Sequence, residues 1–162
     1  MQVTSDVLFK RLKILRIKTQ THSHPPVFSV DEARKHCGHL TGGHCKNLFL
    51  KDKKGMLFLI VATDTQLINL KQLRKKIGSN HLSFGKPDLL RKVLGVEPGS
   101  ISPFALINDT KKRIEVILDE DMMQMSLLNF HPLTNCLTTS ITPTDLLIFI
   151  QNTGHSPALV KL

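Results

Sequence analysis

Leu8, Leu12 and Leu15 recur at helical spacing behind Thr4 and Ser5, either of which can cap, and this pattern predicts an amphipathic helix near the start of the chain. A short extended segment, TQTHSH, follows and ends at Pro25-Pro26. Ser29-Val30-Asp31-Glu32 has the form of a capping box and predicts a short helix running toward Gly38. The pattern then changes period. KNLFL and MLFLIVA flank the polar turn KDKKG, which predicts a hairpin.

Further on, TQLINLKQLRKKIG reads as a helix with cations in its last turn and Gly78 beyond its end. Pro87 opens another helix that Gly95 closes. FALIND, the turn TKK and RIEVILDE predict a second hairpin, and Thr142-Pro143-Thr144-Asp145 caps a final helix. Hairpins with dispersed helices and no internal repeat predict one α+β domain over residues 1–162, built on a mixed sheet.

Charge narrows the partners. Twenty-two Lys and Arg against 13 Asp and Glu give a net charge of +9, which favours a polyanion and above all nucleic acid. With no Trp and no Tyr, only Phe and His are available to stack on a base. Three cysteines form no closed disulfide framework, and the basic, part-apolar N-terminus lacks a signal-peptide pattern; both point to a reducing, cytoplasmic setting. No apolar run approaches the ~20 residues that span a bilayer, so no membrane partner is expected.

Between His36 and Cys45 the chain crowds three histidines and two cysteines into ten residues. A zinc site needs about four ligands in closely spaced couples, and neither CxxC nor HxxxH occurs, so neither a metal nor a cofactor is expected. Lys46 and Asn47 are more specific: they stand where the Gly42-Gly43 loop becomes a strand, and glycines there would let the backbone approach a ligand closely. GSISP, from Gly99 through Ser100, Ile101 and Ser102 to Pro103, is a loop whose exposed amides and carbonyls can bind an oxyanion or an ammonium group. His131, held extended by Pro132, can hydrogen-bond a substrate.

Taken in order, HPPVFSVDEA, GGHCKNLFLKDKKG, LSFG, GSISPFALIND, NFHPLTN and TGHSP resemble the blocks of the prolyl-tRNA editing family, the YbaK/ProX-type aminoacyl-tRNA deacylases. The resemblance extends along nearly the whole chain and is nearest to the free-standing branch that clears alanine from proline tRNA. It implies a mixed, partly barrel-like sheet with surrounding helices, and hydrolysis of the ester between an amino acid and the 3′-terminal adenosine. Lys46 matches the family's functional lysine, and Gly99 with Pro103 its GxxxP loop. Asn47 and His131 fall in blocks that line the family's substrate pocket. The expected partner is the acceptor end of a mischarged tRNA(Pro), with prolyl-tRNA synthetase as a further partner left open. A deacylase for another amino acid, such as cysteine on the same tRNA, and a noncatalytic tRNA- or synthetase-binding module remain alternatives.

Overall fold

In this computed structural model, which describes residues 2–162, the first hairpin forms the spine of the molecule. Strands β2 (Gly43–Asp52) and β3 (Leu57–Thr63) pair antiparallel from Cys45↔Thr63 to Lys51↔Leu57. The turn between them is fastened by Asp52, whose Oδ1 accepts from the amides of Lys54 and Met56 at 2.9 and 3.0 Å. Beyond β3 lie β5 (Ile114–Asp119) and β8 (Ala158–Val160), both parallel to their inner neighbours.

The other edge of β2 is shared by two strands. At its start, Gly43 and His44 pair parallel with β6 (Leu128–Phe130), while at its end Leu50–Asp52 pair antiparallel with β4 (Leu82–Phe84). From β6 the sheet continues antiparallel through β7 (Leu137–Ile141) to β1 (Gln20–Ser23). The result is an eight-stranded mixed sheet that forks at β2, an α+β arrangement of the expected kind.

Helices cover both faces of the central strands. Leu57, Leu59 and Val61 of β3 enter the main core beside Leu8 and Leu12 of α1 (Ser5–Ile14) and Phe149 of α5 (Pro143–Asn152). Phe58 and Ile60 point the other way, onto Leu73 of α3 (Leu70–Ile77) and Leu82 of β4. Burial on both faces explains why MLFLIVA is continuously apolar instead of alternating. Two further helices, α2 (Val30–Cys37) and α4 (Pro87–Leu94), flank the fork.

Caps account for most helix boundaries. Ser29 Oγ accepts from the Glu32 amide at 3.1 Å, but the Glu32 carboxylate reaches back to the Phe28 amide, one residue before the cap. Helix α3 begins at Leu70, later than the predicted Thr65, because Asn69 Oδ1 takes the amides of Lys71 and Gln72. Gly78 and Gly95 end their helices in the left-handed conformation, as expected.

The second hairpin does not exist. FALIND belongs to a 3-10 helix, Pro103–Asn108. An apolar run without alternation fits a buried helical turn as well as a strand, and Pro103 tips the balance by removing an amide that a ladder would need. Phe104 is fully buried, its ring edge-on to Phe130 and Phe149 with centroids 6.1 and 5.5 Å away. Asp109 then turns the chain into β5 by accepting from the amides of Arg113 and Ile114. The partners of β5 are therefore β3 and β8.

Candidate functional site

The fork in the sheet leaves a gap. Between the stretch of β2 held by β6 and the stretch held by β4, residues 45–48 have no strand beside them on that edge. The Phe49 carbonyl accepts from the Gly85 amide at 2.9 Å and closes one end. Asn129 closes the other: its Nδ2 donates to the carbonyls of Thr41 and Gly43 at 3.0 and 3.3 Å, and its Oδ1 accepts from the Ser140 hydroxyl at 2.6 Å. Opposite the gap stand Pro98, Gly99 and Ile101, and a cavity of about 330 Å³ lies between.

Strand alternation sends Lys46 and Asn47 to opposite faces of β2, so they bracket the open edge. The Lys46 ammonium donates to the Gln66 carbonyl. Of its three protons two remain for a ligand, and among the described residues no carboxylate lies within ion-pair distance. Asp64, another residue of the cavity wall, is held instead by Arg34 of α2 at 2.8 Å.

Among the described residues Asn47 stands apart from the other polar side chains. Its Oδ1 is buried without a hydrogen-bond partner, the one such atom among the described residues. A buried acceptor left unpaired costs about 1–3 kcal/mol, and such an atom in a cavity wall is an invitation to a donor.

His131 lines the same cavity from the far side. Its Nδ1 lies 2.9 Å from the Leu137 carbonyl, which has no proton to give, so Nδ1–H donates and the neutral ring keeps Nε2 as an acceptor. Burial pushes the His131 pKa down, the Leu137 carbonyl opposes that in part, and nearby His24 adds to it. His131 is therefore neutral at pH 7. The ring of His24 stands 5.9 Å away, its Nδ1–H directed to the Pro25 carbonyl and its Nε2 2.8 Å from the Thr138 hydroxyl.

The GSISP loop divides its residues. Gly99 and Ile101 face the cavity. Ser102 is fully buried and spends its hydroxyl on the His131 carbonyl at 2.6 Å, tying the loop to the opposite wall. Ser100, also buried, lies on a neighbouring groove, and Pro103 starts the 3-10 helix beneath the site. Gly99 does not adopt the left-handed conformation, and a Cβ there would meet Val27 O at 3.4 Å and nothing nearer. Closeness to the cavity, not unusual backbone geometry, is what glycine provides here.

Gly42 and Gly43 have a different purpose from the predicted one. Gly42 has φ +104°, and a Cβ on it would stand 2.8 Å from Leu127 O; one on Gly43 would strike the Met125 sulfur. These glycines let β2 dock on the segment leading into β6, and neither is needed for a close approach to a ligand.

Of the cysteine–histidine crowd, Cys37, His44 and Cys45 line the cavity, while His36 and His39 do not. Cys37 is buried with its sulfur 3.6 Å from the Thr138 hydroxyl, and Cys45 packs on the Gly43 carbonyl. Burial pushes the Cys45 thiol up to about 12, so it stays protonated at neutral pH. Among the described residues no three His, Cys, Asp or Glu side chains are grouped to hold a metal. Sequence reasoning missed Arg34, Asp64 and Asn129. An Arg or Asp on a short helix or loop carries no sequence mark of the cavity it faces, although NFHP did mark the strand holding Asn129.

This fold and site define a class, the aminoacyl-tRNA editing domains, whose family model matches residues 24–149. The chain belongs to that family. It is 38% identical over 152 residues to prolyl-tRNA synthetase associated domain-containing protein 1 of Danio rerio, covering 93% of this chain and 83% of that one. To the prolyl-tRNA editing protein ProX of Acetoanaerobium sticklandii it is 35% identical over 153 residues, covering 94% and 93%. A solved structure described as a candidate trans-editing enzyme for prolyl tRNA synthetase shares the fold, with a TM-score of 0.72 at 20% identity, covering 100% of this chain and 99% of that one.

Proposed function

We propose that this protein is an aminoacyl-tRNA hydrolase that clears mischarged tRNA(Pro), with alanine as the preferred amino acid. The observation that carries this reading is the unpartnered Asn47 Oδ1 in the wall of a small cavity that is also lined by Lys46, whose ammonium donates to the Gln66 carbonyl and is held by no carboxylate among the described residues. An α-ammonium group supplies the donor that Asn47 lacks. A phosphate or ribose oxygen of the terminal adenosine supplies the acceptor for Lys46.

About 330 Å³ is at the small end for ligand sites and suits a short amino acid joined to part of a nucleoside. The apolar wall from Val27, Ala33 and Cys37 suits a methyl side chain. Catalysis in this reading is positional. The backbone at Gly99 and Ile101 holds the aminoacyl end, and water oriented by the substrate's own 2′-hydroxyl attacks the carbonyl. Neither of two alternative nucleophiles is prepared: the Cys45 thiol is protonated, and the Ser102 hydroxyl is committed to the His131 carbonyl. Neutral His131, with its Nε2 lone pair, hydrogen-bonds the substrate and shapes the pocket. Prolyl-tRNA synthetase is a fitting partner in trans, since the relatives named for it match over nearly the full chain.

The test is single-turnover hydrolysis of alanyl-, cysteinyl- and prolyl-tRNA(Pro), each with a normal and a 2′-deoxy terminal adenosine. Alanyl-tRNA(Pro) should be cleared fastest, and the deoxy substrate should be slowed more than by Ser100→Ala or Ser102→Ala. Faster loss of cysteine would reassign the substrate, and no loss from any of the three would leave a binding module.

A further inference from the structure

A second groove adjoins the cavity. It runs between the β2–β4 end of the fork and helix α4, and Lys51, Lys53, His81, Phe84, Lys86 and Lys92 lie along it. Its connection to the cavity is direct. A narrow trough lined by Asn47, Leu48, Pro98 and Ile101, all cavity residues, ends at Phe84, which is also a wall of the groove.

From Lys46 to Lys51 the strand advances five residues, roughly 17 Å at ~3.3 Å each. Phe84 is 63% exposed, far more than a Phe beside two cores needs to be. The groove's acids are already engaged: Asp52 by backbone amides, Asp88 by Arg91 at 2.9 Å. Among the described residues none of the four lysines is ion-paired. Free cations along a channel with an exposed aromatic ring form the physical signature of a single-stranded nucleic-acid path.

We infer that the trough and groove take the unpaired nucleotides next to the terminal adenosine, with a base stacked on Phe84 and phosphates on Lys51, Lys53, Lys86 and Lys92. This rests on the proposed tRNA substrate and gives the strand a direction: the 3′ end lies at Lys46 and the chain leaves past α4 toward the acceptor stem. The groove thereby separates two tasks. The cavity reads the amino acid, and the groove measures whether it is attached to RNA.

The experiment has two arms. In the first, binding of a fluorescently labelled, uncharged single-stranded RNA ending in CCA is titrated against wild type, Phe84→Ala and the Lys86→Ala/Lys92→Ala double variant, with melting curves for each. Phe84→Ala should weaken binding at least about fivefold, the low end for loss of one stacked base. The double variant should lower the slope of log Kd against log salt by about 0.7 for each phosphate that is no longer neutralised. In the second arm, single-turnover hydrolysis of an alanyl RNA minihelix is compared with that of alanyl-adenosine. Wild type should prefer the minihelix, and the variants should lose most of that preference. Folded variants that bind RNA with unchanged Kd and salt slope overturn the groove assignment, whatever the activity. Absence of hydrolysis by wild type with the binding losses intact overturns the proposed reaction and leaves the groove standing.

Discussion

Replacing Asn47 with Leu should move stability and activity in opposite directions. The two side chains are close in size, so the substitution leaves little change in volume on the β2 face. In the free protein it removes the buried acceptor that has no partner. The cost relieved is about 1–3 kcal/mol, and the apolar replacement adds a favourable burial contribution of the same sign. For a chain of this length 1 kcal/mol corresponds to about 2–4 °C, so a rise in Tm of at least about 2 °C is expected. Single-turnover hydrolysis of alanyl-tRNA(Pro) should fall at least about tenfold, because the α-ammonium loses its acceptor. Thermal melts and rapid-quench kinetics on the same preparation test both signs. An Asn47→Leu variant that is less stable and fully active would refute the reasoning, for Asn47 would then be a structural residue with a hidden partner.

Three more outcomes follow from the geometry. Lys46→Ala should lower single-turnover hydrolysis at least about tenfold, or ~1.4 kcal/mol, with the fold intact by melting curve; unchanged rates would reduce Lys46 to a solvated strand residue. Ser102→Ala should cost about 0.5–1.5 kcal/mol of stability through the lost bond to the His131 carbonyl, measured by urea denaturation, while activity falls less than for Lys46→Ala. Burial alone pushes the Asp109 carboxyl up, but His155 and the Arg113 and Ile114 amides outweigh it and the net shift is down. A depressed carboxyl stabilises the fold above its unfolded pKa of about 3.9, and the contribution is lost as pH falls through the lower folded value. Asp109→Asn should therefore flatten the dependence of Tm on pH below about pH 5, and an unchanged acid limb would exclude this pair as its source.

The sequence revealed the parts of the fold that depend on local signals. Ser29, Asn69, Gly78 and Thr142 act through bonds to residues within a few positions, and three of those four were legible in advance. The misread elements depend on distant partners. Pro103 argues locally against a ladder at FALIND, but the packing of Phe104 on Phe130 and Phe149, which seats that helical turn in the core, is not written within the segment. Strand β8 is three residues long and exists only because β5 offers it an edge. At the site, Lys46, Asn47, Gly99, Ile101 and His131 line one cavity. Ser100 and Ser102 do not face it, since a five-residue motif says nothing about which of its side chains turn inward.

The fork at β2 has a bearing on solubility. A strand edge with unpaired amides and carbonyls is a template for pairing with another chain, and proteins usually cover or shorten such edges. The outermost strands comply, with β1 only four residues long and β8 three. The open stretch at residues 45–48 lies within a long central strand, and what shields it is the loop carrying Pro98, Gly99 and Ile101. A displacement of that loop would unmask an adhesive sheet edge in the middle of the molecule. Resistance to self-association is thus maintained by the same few residues that wall the candidate site.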